Sequence, residues 1–220
     1  SLKALSATID DTIEYYAEAR DAYLHDGRTH DPVRSPVGRI RVVSSARIGE
    51  KLRLDLLSVR EQLRRLMTST QGMMKRTAAL EVGPAADVPL SDTQKADSRQ
   101  LASDLDRLGA ASQASAESLA LIYQEALRNS ESQSGTAQQA RRLAGRLMRE
   151  SLPSARQAQE AAFKAAESSG TSAQLAGLRA ASAAQQEFVD SLRSVLSEME
   201  RWNQYDDLVR QLRDVLDRQE

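Results

Sequence analysis

Cysteine is absent from these 220 residues, which removes disulfides, thiolate metal sites and cysteine nucleophiles and leaves the redox compartment undecided. Aromatic residues make up only 4%. Large compact cores lean on Phe, Tyr and Trp because each buries so much area, so thin layers of Leu and Ala between long helices fit this composition better. Neither sign of charge is in excess: the formal net charge is −1, whereas wrapping nucleic acid needs a basic surplus on one face. Lysine is also rare. Of 30 basic residues only Lys3, Lys51, Lys75, Lys95 and Lys164 are lysines, leaving 25 arginines, a ratio that an arginine-biased coding composition explains without phosphate recognition. No run approaches the roughly 20 apolar residues of a membrane span, and no signal peptide is visible. The chain opens on Ser1 and is read as a piece of a longer one, with any membrane anchor or targeting segment outside it.

The chemistry-bearing motifs are equally thin. Neither "VGP" nor "SSG" has the flanks of a P-loop or a dinucleotide fingerprint, and no Gly-x-Ser-x-Gly elbow occurs. The only two histidines lie in "HDGRTHD", where His25, His30 and Asp31 could supply nitrogen and oxygen ligands to a divalent ion. Their spacing matches no defended motif, and Asp and His are common turn formers. A metal-dependent enzyme or metal-binding module built on that loop is the alternative reading. Asp10-Asp11 and Asp206-Asp207 are read as turn and solvated-helix residues, since neighbours in sequence point apart and do not share a cleft. Arg64-Arg65 and Arg141-Arg142 belong to solvated stripes of long helices. Met67, Met73 and Met74 could form an adaptable binding patch, but seam packing accounts for at least two of them and is the preferred reading.

What the chain does have is a change of hydrophobic period. In "SPVGRIRVVSSARIGEKLRLDLLSVREQLRRL", Gly38, Ile40 and Val42 alternate, as on a strand, and Ile48, Leu52, Leu56, Val59, Leu63 and Leu66 then step by four and three, as on a helix. Upstream, Ile13, Tyr15, Ala17 and Ala19 alternate with Thr12, Glu14, Tyr16 and Glu18, a half-buried strand by pattern. The expectation is an antiparallel pair of strands, Thr12–Arg20 and Val37–Ser44, across a polar loop carrying Gly27, Pro32 and Pro36.

From Ala46 the reading is helical. A first helix to about Leu80 stops at "EVGPAADVPLSD". A second opens on a capping box, Ser91 with Gln94, and carries Leu101, Leu105, Leu108, Ser112, Ser115, Leu119, Ile122 and Ala126, with a small, polar and therefore weaker middle. A third opens with the same spacing at Thr136 and Gln139 and contains Pro153, which predicts a kink or break near Ser151. A shallow face of Ala155, Ala158, Ala162, Ala165 and Ala166 follows, until "SSGTS" interrupts. The last helix, roughly 45 residues or about 68 Å, carries Leu175, Leu178, Phe188, Leu192, Val195, Met199, Trp202, Val209, Leu212 and Leu216.

The segment "LKALSATIDDTIEYYAEARDA", a loop and "SPVGRIRVVS" resembles the last strands of an immunoglobulin-like sandwich, with Tyr15 at the place of the core-facing tyrosine of the penultimate strand, although the pairing cysteine is missing. Such a module running into long Arg-, Glu- and Leu-rich helices resembles a group of large bacterial cell-envelope proteins with membrane anchors, sandwich modules and extended coiled coils. The matching residues are Asp10-Asp11-Thr12-Ile13-Glu14-Tyr15, Ala19-Arg20-Asp21 and Arg39-Ile40-Arg41-Val42. That resemblance implies the extracytoplasmic side of the envelope and carries no activity with it.

The expected fold is mainly α: elongated antiparallel coiled-coil helical hairpins behind a β-hairpin left from an immunoglobulin-like sandwich. Residues 1–45 are the strands, 46–128 one helical hairpin and 129–220 a second, in preference to a symmetric four-helix bundle. The expected role is non-enzymatic, a structural scaffold or protein-interaction segment with no cofactor, no nucleic acid and no small-molecule substrate. Protein partners or self-association are expected through the helical faces, and the seam residues singled out are Leu56, Leu63, Leu105, Leu119, Leu192 and Trp202. Trp202, with Tyr205 on the same helix, could also anchor a partner, but core packing is the preferred reading.

Overall fold

A computed structural model describes residues 7–20, 31–82, 89–131 and 133–217. The chain divides into two compact units, Ser1–Glu50 and Lys51–Glu220.

In the first unit, strands β1 (Thr12–Tyr15) and β4 (Gly38–Arg41) pair antiparallel, with Ile13 opposite Ile40 and Tyr15 opposite Gly38. Beyond them β2 (Glu18–Ala19) pairs with β3 (Val33–Arg34), Glu18 opposite Arg34. Between Tyr15↔Gly38 and Glu18↔Arg34 one strand has two residues and the other three, so the ribbon carries a bulge at residues 35–37. Pro36 sits in it, where its missing N–H costs no ladder bond. Ser35 ties the bulge down: its N–H donates to the Ala17 carbonyl (2.9 Å) and its Oγ accepts from the Ala17 N–H (2.9 Å). The ladder thus runs four residues further into the polar segment than alternation alone indicates. Both faces of the ribbon are largely open. Tyr15 is 55% exposed, with its ring laid over Gly38 where a Cβ would meet it at 2.4 Å. Cross-strand pairs Glu14–Arg39 and Glu18–Arg34 line the rest.

The second unit is a bundle of four long helical arms. They are α1 (Ser45–Val82, its first turn and a half in the first unit), α2 (Asp92–Arg128), α3 (Gly135–Arg146) continued by α4 (Leu152–Glu167), and α5 (Thr171–Asp217). At about 1.5 Å per residue α5 alone is about 70 Å long. Neighbouring arms are antiparallel all the way round. Lys51 pairs with Glu125 and Arg76 with Asp104 between α1 and α2. Ser98 Oγ donates to the Ala162 carbonyl (2.9 Å) between α2 and α4. Arg146 meets Glu198 between α3 and α5, and Arg60 meets Glu200 between α1 and α5. This is one up-down-up-down bundle, not two separate hairpins. One apolar seam per helix reveals that a helix has a partner. It does not reveal that each arm touches two, and α2 packs against α1 and α4 alike.

The helix signals hold locally with two differences. Ser91 and Gln94 form the capping box, Ser91 N–H donating to Gln94 Oε1 (2.9 Å) and Gln94 N–H to Ser91 Oγ (3.3 Å). The third arm, however, is capped by Ser134, which accepts from the Ala137 N–H (3.2 Å), and not by Thr136. Gln139 is buried and engaged with Glu198 instead of reaching back to a cap. Pro153 does not break the arm: a π-turn, Leu147–Ser151, leads into α4 with the proline in its first turn. The wider turn absorbs the lost donor and moves the ring off the carbonyl it would strike. The extra residue shows in the buried positions, which step Leu147, Ser151, Ala155 by four and four before the four–three rhythm resumes.

Candidate interaction faces

Five of the six seam residues are buried inside this chain's own bundle: Leu56, Leu63, Leu105, Leu119 and Leu192. On α1 they belong to the row Leu52, Leu56, Val59, Leu63, Leu66, Thr70, Thr77, Leu80, all buried. Each fully buried leucine contributes about 2 kcal/mol of apolar transfer. Leu56 shares a small crevice with Met199 and Trp202, so the structure brings these α1 and α5 seams together at one end of the bundle.

Trp202 is half-buried and has a specific partner. A Cβ at Gly135, the first residue of α3, would lie 2.1 Å from the indole, so the ring rests on bare backbone that only glycine offers. Tyr205 packs beside it with its ring tilted by 40°, ring centres 5.7 Å apart. Around the pair, Gln139, Arg142, Glu198 and Arg201 form an open cleft of about 400 Å³. Gln139, Arg142 and Glu198 are tied to one another and to Arg146. Arg146 Nη1 (2.9 Å) and Gln139 Nε2 (3.3 Å) donate to Glu198, and Arg142 donates to Gln139 Oε1 (2.7 Å). Arg146 also holds Glu150 (2.9 Å), whose carboxyl this hydrogen bond lowers below the ordinary carboxylate range. The cluster ties α3 to α5 and presents neither a nucleophile with a base nor two carboxyls in contrasting environments.

Further polar ties inside the bundle carried no sequence signal. Gln174 is fully buried at one end of the bundle: its Oε1 accepts from the Leu90 N–H (2.8 Å) and its Nε2 donates to the Ser168 carbonyl (2.7 Å), clasping two interhelix loops. Thr77 Oγ1 donates to Gln185 Oε1 (3.0 Å) between α1 and α5. A glutamine in a helix heptad reads as surface until its neighbours are known.

No family model, no curated protein and no solved structure matches this chain.

Of the metal-ligand candidates, His25 and His30 lie outside the described residues, and Asp31 lies at their border. Among the described residues no group of three or more His, Asp or Glu is placed to hold a metal ion. Asp10 and Asp11 shape the entry to β1. Asp10 has φ 76° and accepts from Arg41 (2.8 Å). Asp11 accepts from the Thr8 N–H (2.6 Å) and hydroxyl (3.0 Å), bonds that lower its carboxyl below the usual range. No described helix is long and apolar enough to cross a membrane.

The outer faces carry the remaining apolar side chains. Leu54, Leu121, Leu127, Met148 and Phe163 are each about half exposed on α1, α2, the π-turn and α4. On α5 the inward seam ends at Met199, and Tyr205, Leu208, Leu212 and Val215 then follow at steps of three, four and three, all more than half exposed.

Proposed function

We propose that this chain is a non-enzymatic structural segment of a bacterial envelope protein, on the extracytoplasmic side, that spaces and docks proteins through the outer faces of its long helices. In this reading the β ribbon is the closing edge of an immunoglobulin-like sandwich, and the helical bundle that follows it in sequence is the spacer. The observation that carries the proposal is the α5 stripe Tyr205, Leu208, Leu212 and Val215, which keeps seam spacing after the seam has turned outward. Apolar rows of that kind on a stiff helix are what partner helices pack against. The mixed charge and the scarcity of aromatic residues support a scaffold over a nucleic-acid binder.

The test is site-specific photo-cross-linking from Leu54, Leu121, Leu208 and Leu212 in bacteria producing the chain, with buried Leu192 as control. Reproducible protein cross-links from the outward positions, unaffected by a chelator, are expected. Silence at all four positions, or cross-links that require a divalent ion, would overturn the reading.

A further inference from the structure

A groove opens on the flank of the bundle where α2 and α4 meet, about 130 Å³ in volume. Small residues make it: Gly109 and Ala110 on α2 and Ala155 on α4 leave a floor closed by Leu105 and Leu152. The helix leaving the π-turn supplies its near wall. Asp106, Gln113, Arg156 and Gln159 rim it with polar groups. Its volume is about that of one phenyl side chain.

The chain has two phenylalanines. Phe188 is core, 1% exposed, whereas Phe163 is 50% exposed on α4. Leu152, Arg156, Gln159 and Phe163 step by four, three and four, which puts the exposed ring on the same flank of α4 as the groove. From Ala155 in the groove wall to Phe163 is eight residues, about 12 Å along the helix. Gln159 lies midway.

A knob and a hole of matching size on one face, separated by a fixed offset, describe a surface complementary to itself. We propose that two copies of this chain pair antiparallel along α4, each Phe163 seated in the other's groove, about a two-fold axis passing Gln159. The proposal rests on the reading that this chain works through its helical faces, and it names the partner as a second copy. Arg156 at the groove rim stacks over the incoming ring, a favourable cation–π arrangement, and Gln159 meets its counterpart at the axis. Two half-exposed aromatic rings and the polar residues between them bury less than a standard specific interface does, so the dimer is weak and concentration-dependent.

Sedimentation equilibrium on the purified chain up to about 100 µM, a range suited to weak pairs, tests this. Phe163→Ser removes the knob and Ala110→Trp, at an exposed position, fills the hole. Melting curves matching wild type verify that both variants fold. Wild type should dimerise, each variant alone should associate at least tenfold more weakly, and an equimolar mixture should regain association. In the mixture the tryptophan variant still offers its phenylalanine to the open groove of the serine variant. A wild-type chain that stays monomeric at the highest concentration, or variants that dimerise as wild type does, overturns the proposal. Protein cross-links that persist from Leu54, Leu121, Leu208 and Leu212 to a different protein would leave the broader reading standing, and their loss as well would remove both.

Discussion

The arms α1 and α4 contact the same two neighbours, α2 and α5, and fill the space differently. α1 presents Leu52, Leu56, Val59, Leu63, Leu66 and Leu80. α4 presents Ala155, Ala158, Ala161, Ala162, Ala165 and Ala166. Long side chains hold α1 to its neighbours, and its ion pairs are long-armed too: Lys51–Glu125, Arg60–Glu200, Arg76–Asp104. Around α4 the backbones themselves come together. Ser98 reaches the Ala162 main-chain carbonyl with a one-carbon side chain, and a Cβ at Gly177 of α5 would lie 3.0 Å from Ala165 main-chain atoms. One side is stabilised by apolar area removed from water, the other by close contact over small surfaces. The first is therefore sensitive to losing atoms and the second to gaining them.

The largest expected effect is on the leucine side. Leu63→Ala should cost about 3 kcal/mol in chemical denaturation, because a fully buried leucine leaves a cavity that its neighbours only partly close. A loss under about 1 kcal/mol would mean that α1 is not packed as a seam. Next comes the alanine side. Gly177→Val adds the atoms that Ala165 has no room for and should cost about 2 kcal/mol, whereas the same glycine-to-valine change at Gly72, an exposed α1 site with open space around it, should be neutral or stabilise by a few tenths of a kcal/mol, because valine is the better helix former. Equal costs at the two sites would erase the contrast. The smallest effect is electrostatic. The hydrogen bond from Arg76, with help from Gln100, holds the Asp104 carboxyl below its ordinary range. A carboxylate depressed on folding contributes stability above its unfolded value near pH 4, and that stability fades as pH falls through the lower folded value. Asp104→Asn should thus cost about 0.5 kcal/mol at pH 7, with the difference from wild type shrinking below about pH 4. A gap that widens on acidification would assign the pair no role.

Much of this contrast could be read from residue order. Four–three spacing located the α1 row through Leu66, and the alanine run after Pro153 read as a shallow face. Capping chemistry placed the start of α2 because Ser91 and Gln94 act within one turn. What could not be read depends on residues far apart. Pro153 announces a missing donor, but whether the chain breaks or widens its turn is decided by what Leu147 and Ala155 must both face. Gln174 and Gln185 look like solvent-facing heptad positions until two loops and a threonine close over them. The fit of Trp202 to Gly135 joins positions 67 apart in the sequence. The groove and Phe163 needed the same knowledge, since a phenylalanine off the alanine face has no assigned neighbour until the packing of α2 against α4 is known.

That last fit also gives the molecule an optical handle. The single indole of the chain rests on the first residue of α3, so its emission reports whether that helix end is docked on α5. Quencher access to Trp202 should rise when this corner of the bundle frays, whether or not the far end at Gln174 has loosened. The chain can therefore be followed opening from one end without any label attached.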